Sequence, residues 1–270
     1  MWTNEELNRY ARHIILEGVG GAGQARLKAS RVLVVGAGGL GSPVLQYLAA
    51  AGVGHLGIVE MDTVDLSNLQ RQVLYTTAEV GRPKAEAAKA RLNALNPHVE
   101  VETYALELTS QNALEILEPY DLILDCTDNF PARYLVNDAC VLLDKPLVYG
   151  AIQQFEGQVS VFHHRPPQGA CGPCYRCLFP QPPAPGTVPS CAEAGVFGVL
   201  PGVVGSLMAT EALKVLLELG QPLSGKLLIY DGLYNTFRTI SFGKRADCPV
   251  CGEQPSVTTL QDYAVFCGVV

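Results

Sequence analysis

The sequence has no basic run. Its 19 lysines and arginines are scattered among 26 acids, for a net charge of −7, so nucleic acid is not an expected partner. No leader is expected: Met1-Trp2-Thr3-Asn4-Glu5-Glu6 places no basic segment ahead of an apolar one, unlike a signal peptide. It has no long hydrophobic run either. The best stretch, Gly195 to Ala209, is broken by Pro201 and several glycines and is too short to cross a bilayer. No membrane is expected, and the protein should be soluble and cytoplasmic. Charged residues are only 17% of the chain and hydrophobic ones 48%, the balance of a folded globule and not of a disordered segment. No internal repeat is present. Nine cysteines, an odd count in a cytosolic chain, read as metal ligands, reactive thiols or core and not as a disulfide framework.

What is present is organised around Arg31-Val32-Leu33-Val34-Val35-Gly36-Ala37-Gly38-Gly39-Leu40-Gly41. An apolar run meets glycines spaced G-x-G-x-x-G, and a helical pattern follows through Val44, Leu45 and Leu48. Glycine permits positive φ at the turn and lets backbone approach a ligand. The N–H groups opening the next helix form a seat for phosphate. A second apolar run ends in Glu60, 19 residues past Gly41, where nucleotide-binding βαβ units carry the acid that holds the ribose hydroxyls. The first expectation is therefore a nucleotide site using Gly36, Gly38, Gly39, Gly41 and Glu60.

The rest of the chain extends this unit. Thr3 caps an expected helix running through Tyr10 to Ile15, glycines 18 to 23 end that arm, and Gln24 to Ser30 is a second short helix. Helices are predicted over 83–95, 110–117 and 131–143, alternating with strands over 99–104, 120–126 and 146–149, which implies a mostly parallel sheet covered on both faces. Past Gly150 the pattern changes to antiparallel. Residues 158–163 read as an exposed strand, 203–219 as a helix, and 227–230 with 236–242 as a hairpin. Residues 166–189 hold eight prolines and read as a loop with no regular element. The fold class is α/β: a Rossmann-like, mostly parallel sheet continued by antiparallel strands, with a helical N-terminal arm and a structural zinc site. Residues 1–270 form a single unit: the arm (1–30), a nucleotide-binding half (31–150), an antiparallel half with a zinc clip and a crossover loop (151–252), and a tail (253–270).

Four constellations carry chemistry. Cys174-x-x-Cys177 and Cys248-x-x-Cys251 offer the four thiolates of a tetrahedral, closed and hence structural zinc; the alternative is two unrelated pairs or one redox C-x-x-C. Seventy residues separate the pairs, so the metal would clip the tail back onto the proline-rich loop. Cys171 is a spare ligand. Asn68, Arg71, Gln72 and Lys84 follow the second strand, and cations placed beside the glycine turn could hold a triphosphate. Asp125-Cys126-Thr127-Asp128-Asn129 lies at a strand's carboxyl end, where Asp128 could hold Mg²⁺ on phosphates. The structural alternative is a helix cap made by Thr127 or Asp128. Cys191 precedes a helix, a position that activates thiols, though a small core cysteine fits as well. Gly220 to Leu227 imitates a P-loop but lacks the Ser/Thr and precedes a strand, so it is rejected. His163 and His164 end a strand and read as surface.

These motifs in this order, with Ser67-Asn68-Leu69-Gln70-Arg71-Gln72, Gly81-Arg82-Pro83-Lys84 and Pro173-Cys174-Tyr175-Arg176-Cys177, resemble the MoeB/ThiF family from about Leu7 to Gly252. These are the ubiquitin-activating-like enzymes that adenylate sulfur-carrier proteins. The resemblance implies ATP and Mg²⁺ chemistry on the C-terminal Gly-Gly carboxylate of a ubiquitin-like carrier, releasing pyrophosphate ahead of thiocarboxylate formation for molybdopterin, thiamin or tRNA thiolation. It implies that Asn68, Arg71 and Lys84 hold phosphates, that Asp128 holds magnesium, and that Arg12 reaches across a homodimer into the partner's site. It assigns zinc to the four cysteines and aligns Cys191 with a cysteine that links to the carrier in some members. Some members carry a rhodanese domain. Here the sulfur is expected from a separate donor, a cysteine desulfurase or a rhodanese. The tail with Cys267 is left without a role. The alternative reading is an NAD-dependent oxidoreductase using the same glycine turn.

Overall fold

The computed structural model describes residues 2–167, 169–183 and 194–263. Its eight strands form one sheet in the order β3-β2-β1-β4-β5-β6-β7-β8. β1 (Arg31–Val35), β2 (His55–Val59), β3 (Glu100–Tyr104), β4 (Leu122–Asp125) and the start of β5 (Leu147–Gln153) run parallel. β6 (Glu156–Phe162), β7 (Lys226–Asp231) and β8 (Thr236–Ser241) continue the sheet antiparallel. The change of direction has a local cause. β5 and β6 are joined by a short turn at Gln154, where φ is +50°, and a connection that short returns the chain antiparallel.

Alternation in the central strands builds two cores. Val32, Val34, Leu56, Ile58, Leu122 and Leu124 face one side. Leu33, Val35, Val59 and Ile123 face the other. On the first face lie α4 (Gly41–Ala51), α5 (Lys84–Leu95) and α9 (Leu200–Leu217). On the second lie α6 (Ala113–Leu117), α7 (Phe130–Leu142) and the one-turn α8 (Tyr175–Leu178). Each fully buried Leu or Ile here contributes roughly 1.5–3 kcal/mol of transfer free energy. α9 is the one helix among the described residues long and apolar enough to pass for a membrane span. It is instead a core helix: Val204, Met208 and Ala212 are buried against β5 and β6. Gly150 and Gly157 allow that approach, since a Cβ at either would collide with Met208 or Val204.

Four sequence expectations are corrected. The first arm helix breaks at Tyr10 into α1 (Asn4–Arg9) and α2 (Ala11–Ile14). The glycines expected to end the arm instead open α3 (Gly20–Ala29). Gly23 serves there because its bare Cα faces Leu217 and Val19, 3.1 Å from where a Cβ would sit. β6 is buried, not exposed, because it is paired on both sides. The proline-rich loop does contain a regular element, α8.

The arm is fastened by charge. Glu6 is buried, accepts from Thr3 as a capping box and pairs with Lys28 of α3. The Lys28 hydrogen bond and the Thr3 backbone pull the Glu6 carboxyl down to about 2. A depressed carboxyl contributes stability that is full above its ordinary value, 4.5, and is lost as pH falls toward 2. Glu6→Gln should therefore lower Tm at pH 7, and the gap from the unmodified chain should narrow as pH drops from about 4.5 towards 2. A gap independent of pH would remove the ion pair as the fastener.

Candidate active site

A cavity of about 510 Å³ opens at the carboxyl ends of β1, β2 and β4. β1 leads to β2 on one side of the sheet and pairs with β4 on the other, so this is the switch point where open α/β sheets bind ligands. The glycine turn forms its floor. Gly36 has φ +93°, and a Cβ on it would lie 2.9 Å from the Cys126 carbonyl. A Cβ on Gly41 would strike the Gly36 carbonyl oxygen, and one on Gly39 would press on Pro201 at 3.2 Å. Only glycine lets this loop fold so close to β4 and then open α4.

Glu60 sits at the end of β2. One of its oxygens accepts from Ala37 N–H at 3.0 Å and the other from Asp62 N–H at 2.9 Å. It thereby ties the second strand to the glycine turn while keeping lone pairs for hydroxyl donors. Of the residues singled out from sequence, Gly36, Gly38, Gly39, Glu60, Arg71, Lys84 and Asp128 line the cavity. Gly41 stands behind the turn as the first residue of α4. Gln72 is buried behind Gly38, its Oε1 without a partner. Asn68 belongs to the 3-10 turn Leu66–Asn68, and its backbone carbonyl accepts from the N–H groups of Arg71 and Gln72. Arg71 donates to the Ser67 carbonyl at 3.1 Å. Asp128 is exposed at the rim. Arg12 lies elsewhere, exposed beside a second, smaller hollow with Arg9, His13 and Tyr47.

Five features escaped the sequence reading. Lys84 is buried, only 4% exposed, and paired with Asp62 at 3.0 Å. Tyr75 donates to the Ala37 carbonyl at 2.8 Å and pins the turn from outside; burial pushes its hydroxyl far up, so it stays a donor. Asn129, not Thr127 or Asp128, caps α7 by accepting from Ala132 N–H. Asp125 is the acceptor for Thr127 N–H and Oγ, with burial pushing its carboxyl up and Arg133 opposing that. Arg133 lines the cavity with its Nε buried and unpaired, a donor that a bound ligand could satisfy. Its signal in the sequence was position alone, one helical turn past Asn129. Among the described residues no histidine lines the cavity.

The tail supplies part of the wall. Asp262 and Tyr263 line the cavity. Asp262 accepts from Ser110 N–H at 2.7 Å, and the Tyr263 hydroxyl donates to Asp138 of α7. Asp138 is fully buried and takes both arms of Arg176 at 2.8 Å. Arg176 stands between Cys174 and Cys177, so the cysteine cluster and the cavity wall share one buried network.

The four cysteines converge. Cys174, Cys177, Cys248 and Cys251 bring their sulfurs within 4.8 Å of one another and are buried. Cys174 to Cys248 is 3.5 Å and Cys177 to Cys251 is 3.4 Å. Tetrahedral zinc with bonds of about 2.3 Å sets its sulfurs roughly 3.8 Å apart, so the donor set fits. Cys171 is not part of this group. The spare-ligand expectation is corrected, because its sulfur turns to His163 at 3.3 Å. His163 itself is buried, 7% exposed, and not on the surface. Cys191 and Cys267 lie outside the described residues.

Comparison with known proteins adds identity to this geometry. Residues 10–250 match the ThiF family. The sulfur carrier protein adenylyltransferase of Thermus thermophilus is 66% identical over 268 residues, covering 99% of both chains. The adenylyltransferase and sulfurtransferase MOCS3 of Culex quinquefasciatus is 52% identical over 99% of this chain, which spans only 60% of that protein. In fold, the Escherichia coli MccB bound to MccA-N7isoASN superposes with a TM-score of 0.79 at 24% identity, over 93% of this chain and 76% of its own. A glycine turn at the switch point of a half-parallel, half-antiparallel sheet, with cations and an acid around it, together with the match over residues 10–250, shows that the chain belongs to the ThiF family.

Proposed function

We propose that this ThiF-family adenylyltransferase activates the C-terminal glycine carboxylate of a ubiquitin-like sulfur-carrier protein with ATP. The carboxylate attacks the α-phosphorus, pyrophosphate leaves, and the acyl-adenylate proceeds to a thiocarboxylate. The observation that carries the reading is the cavity itself, where Arg71, Lys84, Arg133 and Asp128 surround the glycine turn. A carboxylate is already ionised near neutrality, so the attack needs no general base, in keeping with a cavity lined by no described histidine. Catalysis then rests on positioning and on charge placed where phosphate charge moves. Hydride transfer to a nicotinamide would leave these cations unused.

In this reading Gly36, Gly38, Gly39 and Gly41 seat the phosphates, and Glu60 holds the ribose. Arg71 and Lys84 hold the triphosphate, Asn68 and Gln72 shape the loop that presents them, and Asp128 holds Mg²⁺. Zn²⁺ sits on Cys174, Cys177, Cys248 and Cys251 and only stabilises. Arg12, exposed and remote from its own cavity, serves the partner's site in a homodimer. Leu233, Tyr234, Phe237 and Ile240, exposed on the β7–β8 hairpin, offer an apolar face to the carrier. The arm (1–30), the nucleotide half (31–150) and the antiparallel half (151–252) serve one site, with Asp262 and Tyr263 of the tail (253–270) in its wall. A cytoplasmic cysteine desulfurase or rhodanese supplies the sulfur.

The direct test is ATP–pyrophosphate exchange with Gly-Gly-tailed carriers added one at a time. Exchange that depends on one carrier names the pathway, and exchange with several marks a shared activating enzyme. Absence of exchange with every active carrier removes the reading. Cys191→Ser should leave exchange intact whatever happens to later sulfur transfer, because the adenylation step uses no thiol. Loss of exchange would place that cysteine in the first step.

A further inference from the structure

Asp144, His163 and Cys171 gather at the edge of the sheet opposite the nucleotide cavity. Asp144 precedes β5 and His163 follows β6, at the end where Leu147 pairs with Phe162; the cavity reaches β5 near its far end, at Ile152. The Cys171 sulfur lies 3.3 Å from His163 Nδ1, and His163 Nε2 lies 2.9 Å from an Asp144 carboxylate oxygen. The two contacts use different ring nitrogens. The three groups lie within 4.8 Å of one another, but with each ring nitrogen already facing its own partner the order thiol–imidazole–carboxylate is that of a proton relay. Asp144 fixes the tautomer: Nε2–H donates to the carboxylate and Nδ1 is left as the acceptor facing the thiol.

The backbone has been bent to make this cluster. Asp144 and His163 both hold positive φ, +52° and +48°. Asp144 takes the left-handed position after α7, where glycine is usual. His163 pays a similar conformational penalty at a strand end, and such strain concentrates at functional positions. Burial pushes the Cys171 thiol up and the His163 imidazole down. At Asp144 burial would raise the carboxyl, but hydrogen bonds from His163 and Arg165 hold it low. The resting cluster is therefore a thiol, a neutral imidazole and a carboxylate, the starting state for general-base activation at the moment of attack. Two further charges face it: Arg165, 3.3 Å from Asp144, and Lys244, whose field reaches both Cys171 and His163.

We propose that Cys171 is a base-assisted nucleophile that exchanges with small anionic disulfides, separate from the adenylation site. His163 Nδ1 takes the thiol proton while Sγ attacks one sulfur of the disulfide. The Sγ–S bond forms, the S–S bond breaks, and the departing thiolate recovers the proton. The products are a mixed disulfide at Cys171 and one free thiol, so no other oxidant is needed. Arg165 and Lys244 select disulfides bearing carboxylates. Cys126 and Cys140 provide the internal contrast: like Cys171 they are buried with their thiols pushed up, but neither has a base beside it among the described residues.

The test treats the reduced, zinc-containing protein with glutathione disulfide and follows each cysteine by peptide mass spectrometry. Cys171 should form the mixed disulfide at least about 10-fold faster than Cys126 or Cys140. His163→Asn, a residue that tolerates the left-handed backbone, should slow Cys171 by roughly 10²-fold, within the range of general-base contributions. Asp144→Asn should slow it less, because Asp144 acts only by orienting the imidazole. Cationic cystamine should react more slowly than glutathione disulfide at low salt. Zinc content and Tm of each variant monitor folding, and the exposed Asp144 gives a second readout should His163→Asn fail to fold. Cys171 reacting at the same rate in folded His163→Asn or Asp144→Asn as in the unmodified chain, or not reacting at all, would overturn the proposal.

Discussion

Arg71→Ala and Asp128→Ala should each reduce carrier-dependent ATP–pyrophosphate exchange by about 10²–10³-fold, the usual cost of removing one well-placed group from developing charge. These two residues make cleaner tests than Lys84. Lys84 is buried against Asp62, and its removal would leave a carboxylate without its cation, mixing stability into the kinetics. Arg71 gives up one hydrogen bond to the Ser67 carbonyl, worth about 1 kcal/mol. Asp128 is exposed and has no hydrogen-bond partner among the described residues. Tm should therefore hardly move in either variant. The two variants should also fail differently. Without Asp128 the residual activity should need more magnesium, since an acidic ligand of the ion is gone. Without Arg71 the magnesium requirement should be unchanged. The double variant should lose less than the product of the single losses, because both act on one phosphate chain. Full exchange in either single variant would withdraw that residue from the site.

What the sequence made legible was local. The glycine turn, Glu60 and Asp128 each stand within a few residues of a strand end, so strand period and turn chemistry place them together without tertiary information. The parallel-then-antiparallel sheet was legible for the same reason: a helix separates successive strands from β1 to β5, whereas β5 and β6, and β7 and β8, follow each other through short turns. The rest depended on pairings between distant residues. Lys84 meets Asp62 across 22 positions, Tyr75 meets Ala37 across 38, and Tyr263 meets Asp138 across 125. No periodicity carries such information. His163 read as surface because it ends a strand, and only its packing against Asp144 and Cys171 buries it. The arm glycines misled because glycine is the poorest helix former after proline. Here the tight approach of α9 at Leu217 makes the missing side chain an advantage.

Removing zinc should have the largest effect on stability. One zinc per chain is expected, and Cys174→Ser should abolish its retention and lower Tm by about 10–20 °C, equivalent to roughly 4–5 kcal/mol at this chain length. The reason is geometric. Cys174 and Cys177 belong to the turn of α8, Cys248 and Cys251 to a loop 70 residues further on, and among the described residues no disulfide joins them. Four thiols within 4.8 Å repel as thiolates and hydrogen-bond poorly as thiols. A divalent cation resolves both conditions and closes a long loop. The effect should reach the nucleotide. Between the two ligands of α8 stands Arg176, whose guanidinium holds the buried Asp138, and Asp138 in turn accepts from Tyr263 on the cavity wall. Loosening α8 frays a buried ion pair, a loss of about 3–5 kcal/mol when one partner leaves, and releases that wall. Chelated protein held below its melting temperature should therefore bind ATP more weakly, and zinc should restore the binding. Asp138→Asn should weaken ATP in the same way while retaining zinc. Metal-free protein that melts and binds ATP normally would mean that the cysteine cluster fastens neither the tail loop nor the cavity.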